Sequence, residues 1–203
     1  MSEPTSSTRI ATVVRNTNET QIELTLNLDG SGQFDIQLPS EAGAPFLRHM
    51  LEQWAKHGRF DLQIRAQGDV EIDGHHLVED LGIVLGQALN QAVGDKRGIT
   101  RYGFFVAPMD EVLMLSAVDF CGRSFLQLDW ELNQARIGEF DTSLMREFFV
   151  ALANNARMNI HIRALQSGNS HHVIEAGFKS LAKAMRNALT IEGDELTTTK
   201  GSL

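Results

Sequence analysis

A chain of 203 residues, 42% hydrophobic and 22% charged, is long enough to bury a sizeable core as one domain or as two small fused halves. Its formal net charge of -8 argues against a general electrostatic preference for nucleic acid or anionic membrane, so any bound anion needs a local basic site. No apolar run approaches the roughly 20 residues that span a bilayer, and the polar start Met1 to Thr8 reads as a disordered tail without signal-peptide features, so a cytoplasmic location is expected.

From Arg9 the chain reads as strands. NETQIELTLNLDG ends at Gly30, and Thr25 to Leu28, followed by DGSG and the alternating FDIQL, predicts a hairpin closed by a glycine turn. Pro45 marks the start of a helix, where its missing amide hydrogen costs nothing. An alternating strand ends near Ile64, and HHLVED from His75 opens a second apolar helix. Residues 95–100, inside GDKRGITRYG, form a joint.

Beyond the joint the pattern repeats. A shift of 98 lays FLRHMLEQWAKHGRFDLQI, Phe46 to Ile64, over LMREFFVALANNARMNIHI, Leu144 to Ile162. A shift of 96 lays HHLVED over HHVIEA from His171, and one of 92 brings Glu19 onto Glu111. Residues 9–94 and 101–190 therefore read as two similar α+β halves, each strand, strand, helix, strand, helix. Each half is expected to be a mainly antiparallel four-stranded-type sheet with helices packed on one face. Residues 191–203 form a C-terminal tail, read as closing over substrate. The single cysteine, Cys121 between Phe120 and Gly122, reads as a small packing residue and excludes a cysteine-based zinc cluster.

All seven histidines, His49, His57, His75, His76, His161, His171 and His172, fall in or beside the repeated segments. A lone histidine is usually structural, but two HHxxE motifs at matching positions are hard to explain by packing. On a helix His75 and Glu79 share a face while His76 points about 100 degrees round, so the motif suits two metals better than one. His171 pairs with Glu175 in the same way, and His172 reaches elsewhere. With His49 on the first helix and His161 on a strand, eight ligands give four to each of two ions, leaving octahedral positions for water or substrate. Zinc, iron, nickel and manganese all suit such a set, and the zinc-protease motifs HExxH and HxxEH are absent. The basic residues Arg97, Arg101, Arg123, Lys179 and Lys200, the last in TTTKG, supply what a phosphate monoester requires.

GDVEIDGHHLVEDLGIVLG, GITRYG, PMDEVL, DFCGR, NIHIRALQSGNSHHVIEAGFK and TTTKGSL resemble, in order and spacing, the imidazoleglycerol-phosphate dehydratase family in its monofunctional form. The resemblance runs from about Arg9 to the C-terminus. It implies a 24-subunit shell with two manganese ions per active site, at sites between subunits. The metal ligands it implies are His49, His75, His76, Glu79, His161, His171, His172 and Glu175. It also implies substrate contacts at Glu19, Arg101, Arg123, Lys179, Thr198, Thr199 and Lys200; His57 and Arg97 match less well and read as supporting or structural residues.

The implied reaction is dehydration of imidazole glycerol phosphate to imidazole acetol phosphate in histidine biosynthesis. Metals on both ring nitrogens would stabilise an imidazolate that expels the neighbouring hydroxyl. Glu19 is the choice for proton transfer, with a metal-bound water competing; His75, Glu79, His171 and Glu175 complete the catalytic set. Arg48 stands where the family usually has aspartate, Leu77 where it has threonine, and Thr198 and Thr199 where serine is common; the usual preceding proline is missing. Two other readings remain open, an inactive metal-binding oligomeric paralogue and a dinuclear metallohydrolase. No nucleic-acid or membrane partner is expected.

Overall fold

Alternating apolar and polar side chains build two sheets of one design. In the computed structural model, which describes residues 9–203, the first sheet comprises β1 (Ile10–Asn16), β2 (Thr20–Asn27), β3 (Phe34–Gln37) and β4 (Asp61–Gly68), ordered β1-β2-β4-β3. The reading of Met1 to Thr8 as a tail lies outside the described residues. The second sheet uses β5 (Tyr102–Met109), β6 (Val112–Asp119), β7 (Phe125–Asp129) and, after a small hairpin of β8 (Arg136–Ile137) and β9 (Phe140–Asp141), β10 (Asn159–Gln166). Its order, β5-β6-β10-β7, repeats the first. In both sheets two pairings are antiparallel and one, β3 with β4 or β7 with β10, is parallel.

The expected hairpin between Thr25–Leu28 and FDIQL does not form. β2 and β3 do not pair, because β4 lies between them. Leu62, Ile64 and Ala66 give β4 a buried face fit for the sheet centre. The DGSG segment crosses over its start, where Asp61 Oδ1 accepts the backbone N–H groups of Ser31, Gly32 and Gln33. Each main sheet thus has one strand more than the five-element reading, and the second half adds the β8–β9 hairpin.

Four helices fill the space between the sheets. α1 (Ala44–Gly58) and α2 (His75–Val93) cover one face of the first sheet; α3 (Leu144–Ala156) and α4 (Ser170–Ala188) cover one face of the second. α2 packs on α3 and α1 on α4, so the halves meet through their helices around a single core that includes Leu24, Leu81, Phe148 and Phe178. Gly82 and Gly86 let α2 approach α3 closely, since a side chain there would strike the backbone carbonyls of Phe148 and Leu152. Burying each large apolar chain contributes about 1.5–3 kcal/mol, so the shared core binds the halves tightly. Among the described residues no helix is long and apolar enough to cross a membrane.

Candidate active site

The α1 and α4 contact brings together residues distant in sequence. Pro45 lies in the first turn of α1, which sets His49 one turn in. Asn169 caps α4 by accepting the His171 N–H at 2.9 Å. Glu175 Oε2 then stands 3.2 Å from His171 Nε2 and 3.5 Å from His49 Nε2, and one ligand atom from each lies within 4.8 Å of the others. The second Glu175 oxygen takes Lys179 Nζ at 2.6 Å. Burial acts to raise the Glu175 carboxyl, but the hydrogen bond and charge of Lys179, with His49 and His171, outweigh it and hold the pKa below the usual range. An ionised carboxylate facing two imidazole nitrogens is a donor set that fits a divalent transition metal.

The first HHxxE motif opens α2 in the same manner. His75 Nε2 lies 3.5 Å from Glu79 Oε2. His76 turns away, with Nδ1 2.9 Å from Asp69 Oδ2 and Nε2 3.7 Å from Glu19 Oε1. The hydrogen bond that its ring donates to Asp69 raises the His76 pKa. In the second motif His172 likewise turns from its neighbour, and its Nδ1 lies 2.9 Å from Glu111 Oε2. Glu111 also accepts the Asn169 N–H at 2.6 Å. That backbone bond first, then His172, pull the Glu111 pKa down to about 2, while Glu111 raises the His172 pKa.

The repeat-equivalent glutamates therefore differ. Glu111 is engaged on both oxygens, whereas among the described residues the Glu19 carboxylate accepts no hydrogen bond and meets only His76. Asp69 and the engagement of Glu111 were not read from the sequence. The repeat gave no signal for Asp69, whose counterpart at the 98-residue shift is Ser167; Glu111 was marked only as the partner of Glu19.

His161 is separated from the other histidines. Ile160 and Ile162 point into the core, so His161 lies on the outer face of β10, its ring 5.4 Å from that of Phe125. One chain thus presents the eight expected ligands as separate groups on more than one face.

Five of the seven expected substrate contacts come together. Arg101, Arg123, Thr198, Thr199 and Lys200 line one pocket of about 550 Å³ with Tyr102. Arg101 is buried and bonded to Asp119 at 2.7 and 3.1 Å, and its Nη1 donates to Thr197 O at 2.7 Å, which ties the C-terminal segment to the sheet. Lys179 is absent from this pocket. The Arg101 N–H donates to Ala188 O at the far end of α4, so some seventeen residues of helix, roughly 25 Å, separate the pocket from His171.

The remaining marked positions fall outside these clusters. Arg48 faces Glu52, with 3.7 Å between Nε and Oε1, and does not pair with a histidine; Leu77 is 2% exposed in the core. His57 is half-buried, and burial, then the charges of Lys179 and Lys183, lower its pKa. Arg97 turns to Asp95 at 3.4 Å.

Residues 42–185 match the family model for imidazoleglycerol-phosphate dehydratase. A relative of that name from Microcystis aeruginosa is 54% identical over 184 residues, covering 91% of this chain and 86% of its own. One from Acinetobacter baumannii is 52% identical over 198 residues, covering 96% of both. The crystal structure of the Staphylococcus aureus enzyme superposes with a TM-score of 0.79 at 39% identity, covering 90% of this chain and 99% of that one. The Pyrococcus furiosus enzyme gives 0.79 at 34% identity, covering 94% and 100%. The two sheets of one order, the paired HHxxE helices and these matches along nearly the whole length place the chain in the imidazoleglycerol-phosphate dehydratase family of hydro-lyases.

Proposed function

We propose that this protein removes water from imidazole glycerol phosphate to give imidazole acetol phosphate, in histidine biosynthesis, with two manganese ions per active site. The observation that carries the reading is the division of labour in each HHxxE motif. The first histidine faces its own glutamate, while the second turns to an acid on the preceding strand pair, which gives two distinct metal-binding directions per helix. The proposed ligands are His49, His75, His76, Glu79, His161, His171, His172 and Glu175. Bound there, the ions would supply Lewis acidity that stabilises negative charge on the azole ring, which favours loss of the hydroxyl from the carbon beside the ring.

The protein's own groups do the rest. Arg123, Lys200 and the hydroxyls of Thr198 and Thr199 bind the phosphate, and Arg101 holds the segment that carries them. The carbon beside the ring gives up its hydroxyl as water, Glu19, with its free carboxylate beside His76, accepts the proton from the next carbon along, and the enol so formed becomes the ketone. His75, Glu79, His171 and Glu175 act by binding and orienting. Lys179 keeps Glu175 ionised, and in the assembled site it also faces substrate.

A three-carbon chain between imidazole and phosphate is far shorter than the roughly 25 Å of helix between His171 and the Arg101 pocket. Site completion between chains answers that mismatch, and it suits the outward-facing His161 and the exposed Tyr102, Phe104 and Val106 on β5. The proposed assembly is the 24-subunit shell that the family resemblance implies. Incubating the purified protein with imidazole glycerol phosphate and manganese tests the reading. Ketone formation supports it; phosphate release would replace it with hydrolysis, and metal binding without either product would replace it with a non-catalytic paralogue.

A further inference from the structure

The two repeats differ at one buried position. Asp80 closes HHLVED on α2, whereas the matching residue of HHVIEA is Ala176. Asp80 is 6% exposed; it accepts a 2.5 Å hydrogen bond from Thr20 Oγ1, and Arg15 Nη2 stands 2.9 Å from its other oxygen. Thr20 is itself buried, and its place in the second repeat is taken by Val112, which can donate nothing.

Thr20 follows Glu19 directly. The backbone N–H groups of both donate to Thr17 Oγ1, at 2.9 Å from Thr20 and 3.1 Å from Glu19, closing the turn between β1 and β2. The Asp69 N–H donates to Glu19 O at 3.0 Å and ties the same turn to the end of β4. A buried carboxylate on α2 therefore fixes the turn carrying Glu19 against the helix carrying His76. Removing its hydroxyl partner leaves that carboxylate short of a donor where water does not replace it.

The contrast between repeats gives this pin a purpose. Glu111 is placed by hydrogen bonds to its own carboxylate, which occupy both oxygens. Glu19 is placed through its neighbour, which leaves its carboxylate free. We propose that Asp80, acting through Thr20, is a positioning residue that holds the Glu19 carboxylate beside His76 without engaging it. This rests on the reading of Glu19 as the proton-transfer group.

Thr20→Val keeps the shape of the side chain and removes the donor; Thr20→Ser keeps the donor. The expected result for Thr20→Val is a fall in kcat of about 100-fold, typical of a reacting group displaced by about 1 Å. KM and metal content stay unchanged, and amide exchange across residues 17–20 becomes faster. Thr20→Ser restores most of the rate, and Thr20→Val adds no further loss in a Glu19→Gln background. Wild-type kcat in Thr20→Val, a Ser variant as slow as the Val variant, or additive losses with Glu19→Gln would overturn the proposal. Absence of turnover by the wild-type protein would instead overturn the functional reading, and unchanged exchange across residues 17–20 would then still defeat the pin.

Discussion

His49 Nε2, from the first repeat, stands 3.5 Å from Glu175 Oε2, from the second, while Lys179 holds the other oxygen of that carboxylate. The pair exists only because α1 packs on α4. Lys179 thus touches a candidate metal ligand directly, beyond any contact it makes with substrate.

Lys179→Met should therefore weaken metal binding about 10- to 100-fold, the usual cost of losing a group that orients a ligand. The Glu175 pKa is lowered in the folded protein, so its ionised form persists as pH falls; without Lys179 it protonates at higher pH. Metal release on acidification should begin correspondingly earlier. Chelator competition across a pH series checks this, and a raised KM with unchanged metal affinity would restrict Lys179 to substrate binding.

His76→Ala and His172→Ala should each lower metal content and assembly together. Their rings turn from the His75 and His171 directions toward separate acids, and in the proposed assembly ligands on separate faces meet at one ion only when chains associate. Metal analysis and native mass spectrometry on the same samples decide the matter. Intact shells with full metal in both variants would refute the link.

Lys200→Ala should weaken substrate binding by about 10- to 150-fold, corresponding to roughly 1.5–3 kcal/mol for one charge-assisted contact. Lys200 shares its pocket with Arg123, Thr198 and Thr199, at a distance from Glu175, so metal content should not change. Steady-state kinetics with metal analysis test this; unchanged KM and kcat would assign the segment no part in closing over phosphate.

Asp61→Ala should destabilise the first sheet by about 1–3 kcal/mol, because three backbone N–H groups lose one acceptor. Burial acts to raise the Asp61 carboxyl, and the Gln33, Ser31 and Gly32 bonds outweigh it, leaving the pKa below 3.8. Its stabilising effect is therefore present above pH 3.8 and lost as pH falls through the lowered folded value. Denaturant unfolding of both proteins should show the difference narrowing only in that acid range. An equal difference at pH 7 and pH 2 would contradict the assignment.

Much of the site was legible because its chemistry is written in local spacing. A helical repeat puts His75 with Glu79 and His171 with Glu175 and sends His76 and His172 elsewhere, and the structure places them so. The duplication, the Pro45 helix start and the α+β class were equally local signals. Strand order was not local: TLNLDGSGQFDIQL carries a hairpin signal, but β4, some 30 residues later, offers a better-buried centre and takes the place between β2 and β3. Nor could the sequence separate Glu19 from Glu111, since both occupy one repeat position and only their neighbours across the fold differ. Asp80 meets Thr20 across 60 residues, and Asn169 meets Glu111 across 58. Such contacts depend on which faces are buried against which, a property of the packed chain that residue spacing does not encode.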